Sequence, residues 1–505
     1  MVGRNVGARP AAPFFDISPL AMKEFAQQAL STALARGASY ADVRVCDIRQ
    51  RYLSTKNGQA AQVRDSESFG LGVRVIAGGS WGFAATDDLN RESVDRAAAL
   101  AVEIARASAQ VRSHDVDLAP EGKIVDHWEA ACRVNPFTIP VSECLDLLLK
   151  VDAELRHVAG VTLAEGTMDF RHIDQLFLSS AGSDISQIKT QTGVGYSATS
   201  FADNEIQRRS YPNSFGGQYQ TTGYELIGEL DLVGNASRVA EECVALHKAD
   251  QCPKGVHDII LGGSQLGLQI HESIGHPIEL DRVLGDEANY AGMSFLTPEK
   301  LRTLKYASDI VNVVADATVA HGPGLGTFAY DDEGVPAQAT PIIKDGVFVG
   351  YLSSRESAAS IGQTRSSGAM RAEAWNRIPL IRMTNVSLLP GSGCLEDLIA
   401  STDDGIYMET NRSWSIDDRR YNFQFGTEIG WEIKRGKRTR MLKNPSYGGI
   451  TTEFWNSCDA ICGPEHWSLW GTPNCGKGQP MQTMGTGHGA APARFRRVKV
   501  GVAYE

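Results

Sequence analysis

The chain has 505 residues, 42% of them hydrophobic and 22% charged, and carries a formal net charge of −11. That length exceeds what one simple core organises, so two or three soluble domains are expected. The acidic balance argues against nonspecific nucleic-acid binding and anionic membrane surfaces, and no stretch approaches a membrane span.

Residues 1–17 contain no apolar core of signal-peptide length and are expected to form a flexible tail. Ser18-Pro19 then opens a helix to about Arg36, with cap, first-turn proline and the terminating Gly37 in order. A strand-like alternation follows. Phe69 to Thr86 holds a hairpin whose arms, FGLGVRVI and SWGFAAT, flank Gly78-Gly79. An alanine-rich helix from about Arg91 to Ala109 completes a compact α+β unit. Residues 114–140 form a polar connection. Pro140 to Val158 is strongly helical, with Leu145, Leu148, Leu149 and Leu155 on one side. Gln175–Ser179 and Ser186–Thr192 read as strands about an Ala181-Gly182-Ser183-Asp184 turn, and Tyr196–Phe201 and Ile206–Tyr211 extend the same sheet. Nothing up to residue 222 suggests acid–base or metal chemistry, so this half reads as a scaffold or substrate wall.

Leu226 to about Lys248 is expected to be a helix, and His257–Leu261 a short apolar strand. The strand feeds the stretch LGLQIHESIGHPIELD, Leu266 to Asp281, which places His271, Glu272 and His276 within six residues. Two neutral imidazoles can hold a cation while a carboxylate takes a proton from its water, the requirement of a metal hydrolase. The spacing is unusual. Histidines five apart on a regular helix point about 140° from each other, so a regular helix cannot aim both at one ion. Gly275 is flexible, and Pro277 lacks an N–H and biases His276 away from helical dihedrals. A one-residue π-type bulge or a broken last turn would bring His276 back beside His271. Leu266, Ile270 and Ile274 form a buried face, and Ser264 is the expected N-cap.

Further on, Ile310–Ala315 and Thr340–Tyr351 read as strands. Asp331, Asp332 and Glu333 ahead of Gly334 read as a solvated turn, with support of a metal ligand or capture of a substrate amine as the functional alternative. A catalytic zinc takes three protein ligands and a water, and the tail from Asn456 offers Cys458, Cys462, Cys475, His466 and His488. Cys458 and Cys462, four apart, suit one helix face. Cys475 lies in a glycine-rich loop beside Lys477, which would favour its thiolate. Spacing alone leaves the choice open. The nine cysteines, without a secretion signal, read as reduced thiols and suggest a cytoplasmic address.

Several motifs together resemble the TldD/PmbA metalloproteases: HESIGH with Glu279 and Asp281, GTFAYDDEGVP at Gly326–Pro336, RIPLIRMTN at Arg377–Asn385, DDGIY at Asp403–Tyr407 and CGKGQP at Cys475–Pro480. The metal motif makes the chain similar to the catalytic TldD branch rather than to its metal-free partner, TldE or PmbA. The resemblance implies an α+β fold of two domains, residues 18–222 and 223–505, with mixed and antiparallel sheets flanked by helices and the metal-site helix in the second. It implies Zn2+ held by His271, His276 and Cys475, with Glu272 as general base. It also implies peptide bound as an extended strand, and a homodimer or a heterodimer with a metal-free paralogue. The SCDAICGPEHW insertion and the GHGAAPARF ending look like subfamily features expected to leave the metal untouched. Three other readings remain: an assembly protein with a closed structural metal site, an iron oxygenase with two histidines and one carboxylate, and a hydrolase restricted to one small or modified peptide.

Overall fold

The computed structural model describes residues 19–501, so the expected tail over residues 1–17 lies outside them. The architecture is α+β, with two large sheets. The first helix, α1 (Pro19–Ala35), stops where Gly37 turns left-handed at φ 90°. Strands β1 (Tyr40–Lys56), β2 (Gln59–Ala77) and β3 (Ser80–Thr86) follow as two successive hairpins. Gly78-Gly79 makes the expected turn. Asn57-Gly58 makes another, at φ 47° and 81°, although the sequence reading passed over this strong two-residue hairpin signal.

After α2 (Arg91–Ser108) and β4 (Val125–Glu129), helix α3 (Val141–His157) buries Cys144, Leu148, Val151 and Leu155, a face rotated slightly from the expected leucine row. Strands β5 (Leu163–Ser179), β6 (Asp184–Ala202), β7 (Glu205–Tyr211) and β8 (Gln218–Gln220) complete an eight-stranded sheet ordered β3-β2-β1-β5-β6-β4, with β7 and β8 also on β6. The expected strands are present, but Ser186–Thr192 and Tyr196–Phe201 belong to one continuous strand, β6, which pairs with β5 and β7. The single helix expected over 226–248 is instead α4 (Glu225–Glu229) and α5 (Ala236–Ala245). Between them Asp231 turns at φ 41° and accepts the Gly234 N–H at 3.2 Å, a local bond that competes with helix continuation. Both helices pack into the core formed by α3, β5 and β6.

In the C-terminal half, β9 (Asp250–Gln251) and β10 (Gly255–Leu261) join a second eight-stranded sheet. Five of its strands close on themselves: 404–416, β10, 493–500, 446–450 and 422–434, the last pairing back onto the first. Helix α6 (Gly263–Ile270) leaves β10 directly. Its cap is Gly262, so the expected cap at Ser264 falls inside the helix. Leu266, Ile270 and Ile274 are fully buried in the main core, as expected. The segment Thr340–Tyr351 is a hairpin, not one strand, because Asp345-Gly346 turns left-handed at φ 48° and 73°.

Charge fastens the first sheet to the segment 331–333. Asp331, Asp332 and Glu333 are buried, so the solvated-turn reading fails. Arg74 on β2 bonds Asp42 at 2.7 Å and Glu333 at 3.1 Å, while Asp332 accepts from Gln175 at 2.7 Å. Asp331 accepts the N–H groups of Glu333, Val335 and Met370. With these partners the acids neither support a metal ligand nor await a substrate amine. Removing one member of a buried pair strands the rest. Arg74→Met is therefore expected to lower stability by about 3–5 kcal/mol, read as a fall in the urea midpoint; an unchanged midpoint would show that the pairing contributes no net stability.

Candidate metal centre

The turn that follows α6 is the site's foundation. His271–Gly275 forms a π-helical turn, and the His276 N–H donates to the His271 carbonyl at 3.1 Å. This is the bulge that the i, i+5 spacing demands. The expected role of Pro277 differs: His276 keeps helical dihedrals (φ −66°, ψ −41°), and the wide turn alone realigns the rings. Gly275 is needed for close approach, since a Cβ there would lie 2.1 Å from Met383 Sδ.

Cys475 arrives from a hairpin, not from a loop. It sits on strand 468–477, which pairs with 482–490, and a register shift between Thr472 and Cys475 adjusts where the thiol points. Donor atoms of His271, His276 and Cys475 lie within 4.8 Å of one another, and all three residues are buried. Cys475 Sγ is 3.7 Å from His276 Nε2. Zn–N and Zn–S bonds of about 2.0–2.1 and 2.3 Å at a tetrahedral centre separate N from S by about 3.5 Å. The His276–Cys475 pair already stands near that separation, and His271 completes a donor set of the type zinc takes.

The protonation of both rings follows from their second nitrogens. Burial pushes His271 below its ordinary range and His276 well below it, so both are neutral donors at pH 7. His276 Nδ1 donates to Glu279 at 2.9 Å, leaving Nε2 to face the thiol. His271 reaches His488 instead, at 2.7 Å. His488 Nδ1 must donate to the Val386 carbonyl at 3.1 Å, because a carbonyl only accepts. Its Nε2 therefore accepts the His271 Nδ1–H, and the His271 Nε2 lone pair is left for a cation. Burial, helped by His271, keeps His488 neutral as well. The GHGAAPARF ending thus reaches the metal site after all, one hydrogen bond behind a donor ring.

Burial alone would raise the Cys475 thiol, but Arg382 and His276 outweigh it and hold the thiol below its usual value. Lys477, the expected thiolate partner, points elsewhere. Its ammonium bonds Asp281 at 2.7 Å and Glu279 at 3.4 Å. Arg382, which donates to the Cys475 carbonyl, takes its place. Glu272 is outside the converging donor group and accepts from Arg420 NH1 at 2.9 Å. Arg420 comes from the turn between strands 404–416 and 422–434 and had no local sequence signal, whereas Arg382 lay in the RIPLIRMTN motif without its role being evident.

The remaining candidates separate. Cys458 and Cys462 lie on and just after strand 458–461, not on a helix, and fill different cores. His466 sits with Cys394 and Glu396 in a more exposed group. All nine cysteines are free, and among the described residues no helix is long and apolar enough to cross a membrane.

Two imidazoles and an activated thiol around one point, with a carboxylate beside them, define a hydrolytic type of metal centre. Two family models match the chain: the PmbA/TldA metallopeptidase C-terminal domain over residues 254–501 and domain 1 over residues 41–105. The chain belongs to the PmbA/TldD metallopeptidase family. A metalloprotease of Methanothermobacter thermautotrophicus is 29% identical over 92% of this chain and 95% of its own. A protein of Saccharolobus solfataricus named zinc metalloprotease TldD homolog is 22% identical over 84% of this chain and 89% of its own. Among solved structures, TldE from Thermococcus kodakarensis shares the fold, with a TM-score of 0.71 at 16% identity, covering 95% of this chain and 99% of that one.

His488 makes a specific expectation possible. Loss of the partner that orients a ligating imidazole typically weakens metal binding about 10- to 100-fold. His488→Leu should show that loss in competition with a chromogenic chelator, whereas unchanged affinity would reduce His488 to packing.

Proposed function

We propose that the chain is a zinc-dependent peptidase, in which His271, His276 and Cys475 hold the ion and Glu272 is the general base. The observation that carries this reading is the convergence of the three buried donors across the π turn, at a spacing that suits tetrahedral zinc. Three protein donors leave one position open, as catalytic zinc sites do. Bound there, zinc supplies Lewis acidity toward the scissile carbonyl and lowers the pKa of water toward neutrality.

The chain's own groups do the rest. Glu272 takes the proton of the attacking water and returns it to the leaving amine. Arg420 holds one oxygen of that carboxylate, which leaves the other to move the proton. Glu279 and His488 fix the two imidazoles so that each presents Nε2.

The other readings fit less well. A closed four-ligand structural site would need His488, whose ring is taken up by His271 and Val386. An iron oxygenase would need a carboxylate as third donor, where this site has a thiol, and thiolate with imidazole suits zinc. The substrate in this reading is unfolded or extended peptide, bound as an added strand through its backbone. A cytoplasmic address and pairing with a second copy or a metal-free paralogue belong to the same proposal. So does the two-domain division, with the boundary moved past the α4–α5 helices because they share the N-terminal core.

Purified chain is expected to contain about one zinc per monomer, as a single three-ligand site requires, and to hydrolyse casein until a chelator removes the metal. Glu272→Gln should retain the zinc and lose turnover by at least the 10²–10⁴-fold typical of general base removal. Full activity in that variant, or activity indifferent to the chelator, would sink the assignment.

A further inference from the structure

Arg171 on β5, Lys189 on β6 and Arg371 meet at a small, partly open cavity of about 30 Å³, walled also by Phe328, Asp332, Glu373 and Met484. A water needs about 10–15 Å³ on this measure, so the space suits two oxygen-sized groups. Two larger spaces, of about 260 and 180 Å³, share Arg171 and Glu373 with it. The hydrogen bonds of the two arginines go to neutral groups. Buried Arg371 donates only to carbonyls, those of Met383 and Gly485 at 2.8 Å and Leu325 at 3.0 Å. Arg171 donates to the Glu373 carbonyl at 2.7 Å, and its Nε has no hydrogen-bond partner. Lys189 lies 5.9 Å from the centre of the Phe328 ring. Among the described residues none of the three has a carboxylate within 4.0 Å. Three acids share the wall and each is engaged elsewhere. Asp332 is held by Gln175 and the Ala372 N–H, 3.7 Å from Arg44, Asp331 by the N–H groups of Glu333, Val335 and Met370, and Glu373 by the Thr483 N–H at 3.2 Å.

Buried cations that no carboxylate contacts directly are costly, and burial together with the neighbouring Arg371 pushes Lys189 down to about 8. The cavity also borders the metal centre. Met484 pairs with Cys475 across the hairpin, and Arg371 is close enough to feel the Cys475 charge.

We propose that this cavity is a carboxylate-binding subsite of the peptide cleft, in which Arg171, Lys189 and Arg371 receive one carboxylate of the bound peptide. The carboxylate is either the C-terminal one or that of an acidic side chain, and the inference rests on the peptidase reading above.

The test uses the full zinc-loaded chain carrying Glu272→Gln, so that binding is read without turnover. One fluorescently labelled extended peptide is made in four forms: free acid or amide at the C-terminus, each with Glu or Gln at an internal position. Removing the recognised carboxylate should weaken binding by fluorescence anisotropy about 10- to 100-fold, the range for hydrogen bonds to a charged group. Adding Lys189→Gln should narrow that gap. Dependence on the terminus assigns the α-carboxylate, and dependence on the internal position assigns a side chain. All four forms binding alike, or none binding, overturns the proposal, as does a gap that Lys189→Gln leaves intact. The four-peptide comparison needs no change at Lys189, so a misfolded variant does not spare the proposal. Failure of the peptidase reading appears separately, as zinc-loaded unsubstituted chain that leaves casein uncut while the gap persists.

Discussion

The hydrogen bond from the His276 N–H back to the His271 carbonyl widens a single helical turn, and the geometry of the metal centre depends on it. In a regular helix these rings would diverge; with one more residue in the turn they meet edge to face at 4.8 Å between centroids. The turn is stabilised from outside, because every group it displaces has a partner. The Tyr306 hydroxyl takes the Ser273 carbonyl, and Trp455 Nε1 donates to Ser273 Oγ at 2.9 Å. Gln269 and Tyr447 extend the same buried network. At about 1 kcal/mol net for each satisfied bond, the surroundings favour the wide turn over an α turn that would leave those groups unpaired. Gly275 completes the argument, since only a residue without a side chain lets the turn rest on Met383.

The two histidines are held by different chemistry. Behind His276 stands a carboxylate, Glu279, itself set among Arg282 and Lys477, with Asp281 and Glu287 pairing those cations in turn. Behind His271 stands a neutral ring that ends on a backbone carbonyl. A carboxylate partner raises the basicity of its imidazole more than a neutral one does. His276 is therefore the stronger donor of the pair and His271 the weaker. Were a zinc ion held with the Cys475 thiolate as third donor, a neutral partner behind His271 would limit the negative charge around it and help keep it electrophilic.

Much of this was legible in the sequence, and the gaps have physical causes. The Gly78-Gly79 hairpin, α1 and α2, and the need for a π bulge all follow from local rules, because turn dihedrals and helix periodicity act over a few residues. The interruption between α4 and α5 was missed because Gly228 and Gly234 are tolerated in many helices, and only Asp231 decides here. Arg420 was invisible for another reason: it meets Glu272 across 148 positions, with no periodicity to relate them. Arg382 and Met383 were seen as part of a motif, but what they touch is set by the fold. His488 was named as a possible ligand, and tertiary context made it a support for one. Exposure misled in one place. Acids before a glycine normally face water, and at 331–333 they are buried because Arg74 pairs with Glu333, Gln175 with Asp332 and backbone N–H groups with Asp331.

Those acids also change what the N-terminal half contributes. Read from sequence it is a scaffold, yet its sheet grips the short segment that leads into the metal site. Arg44 donates to the Arg377 carbonyl at 2.5 Å, Arg171 to the Glu373 carbonyl, and Gln175 holds Asp332, which in turn binds the Ala372 N–H. A few residues later the same segment supplies Arg382 to Cys475 and Met383 to Gly275. The contacts are mostly hydrogen bonds between a charged side chain and the backbone of one short segment, so the position of the N-terminal sheet bears on the position of the thiol. The half of the chain that holds no candidate ligand therefore takes part in fixing where the third ligand sits.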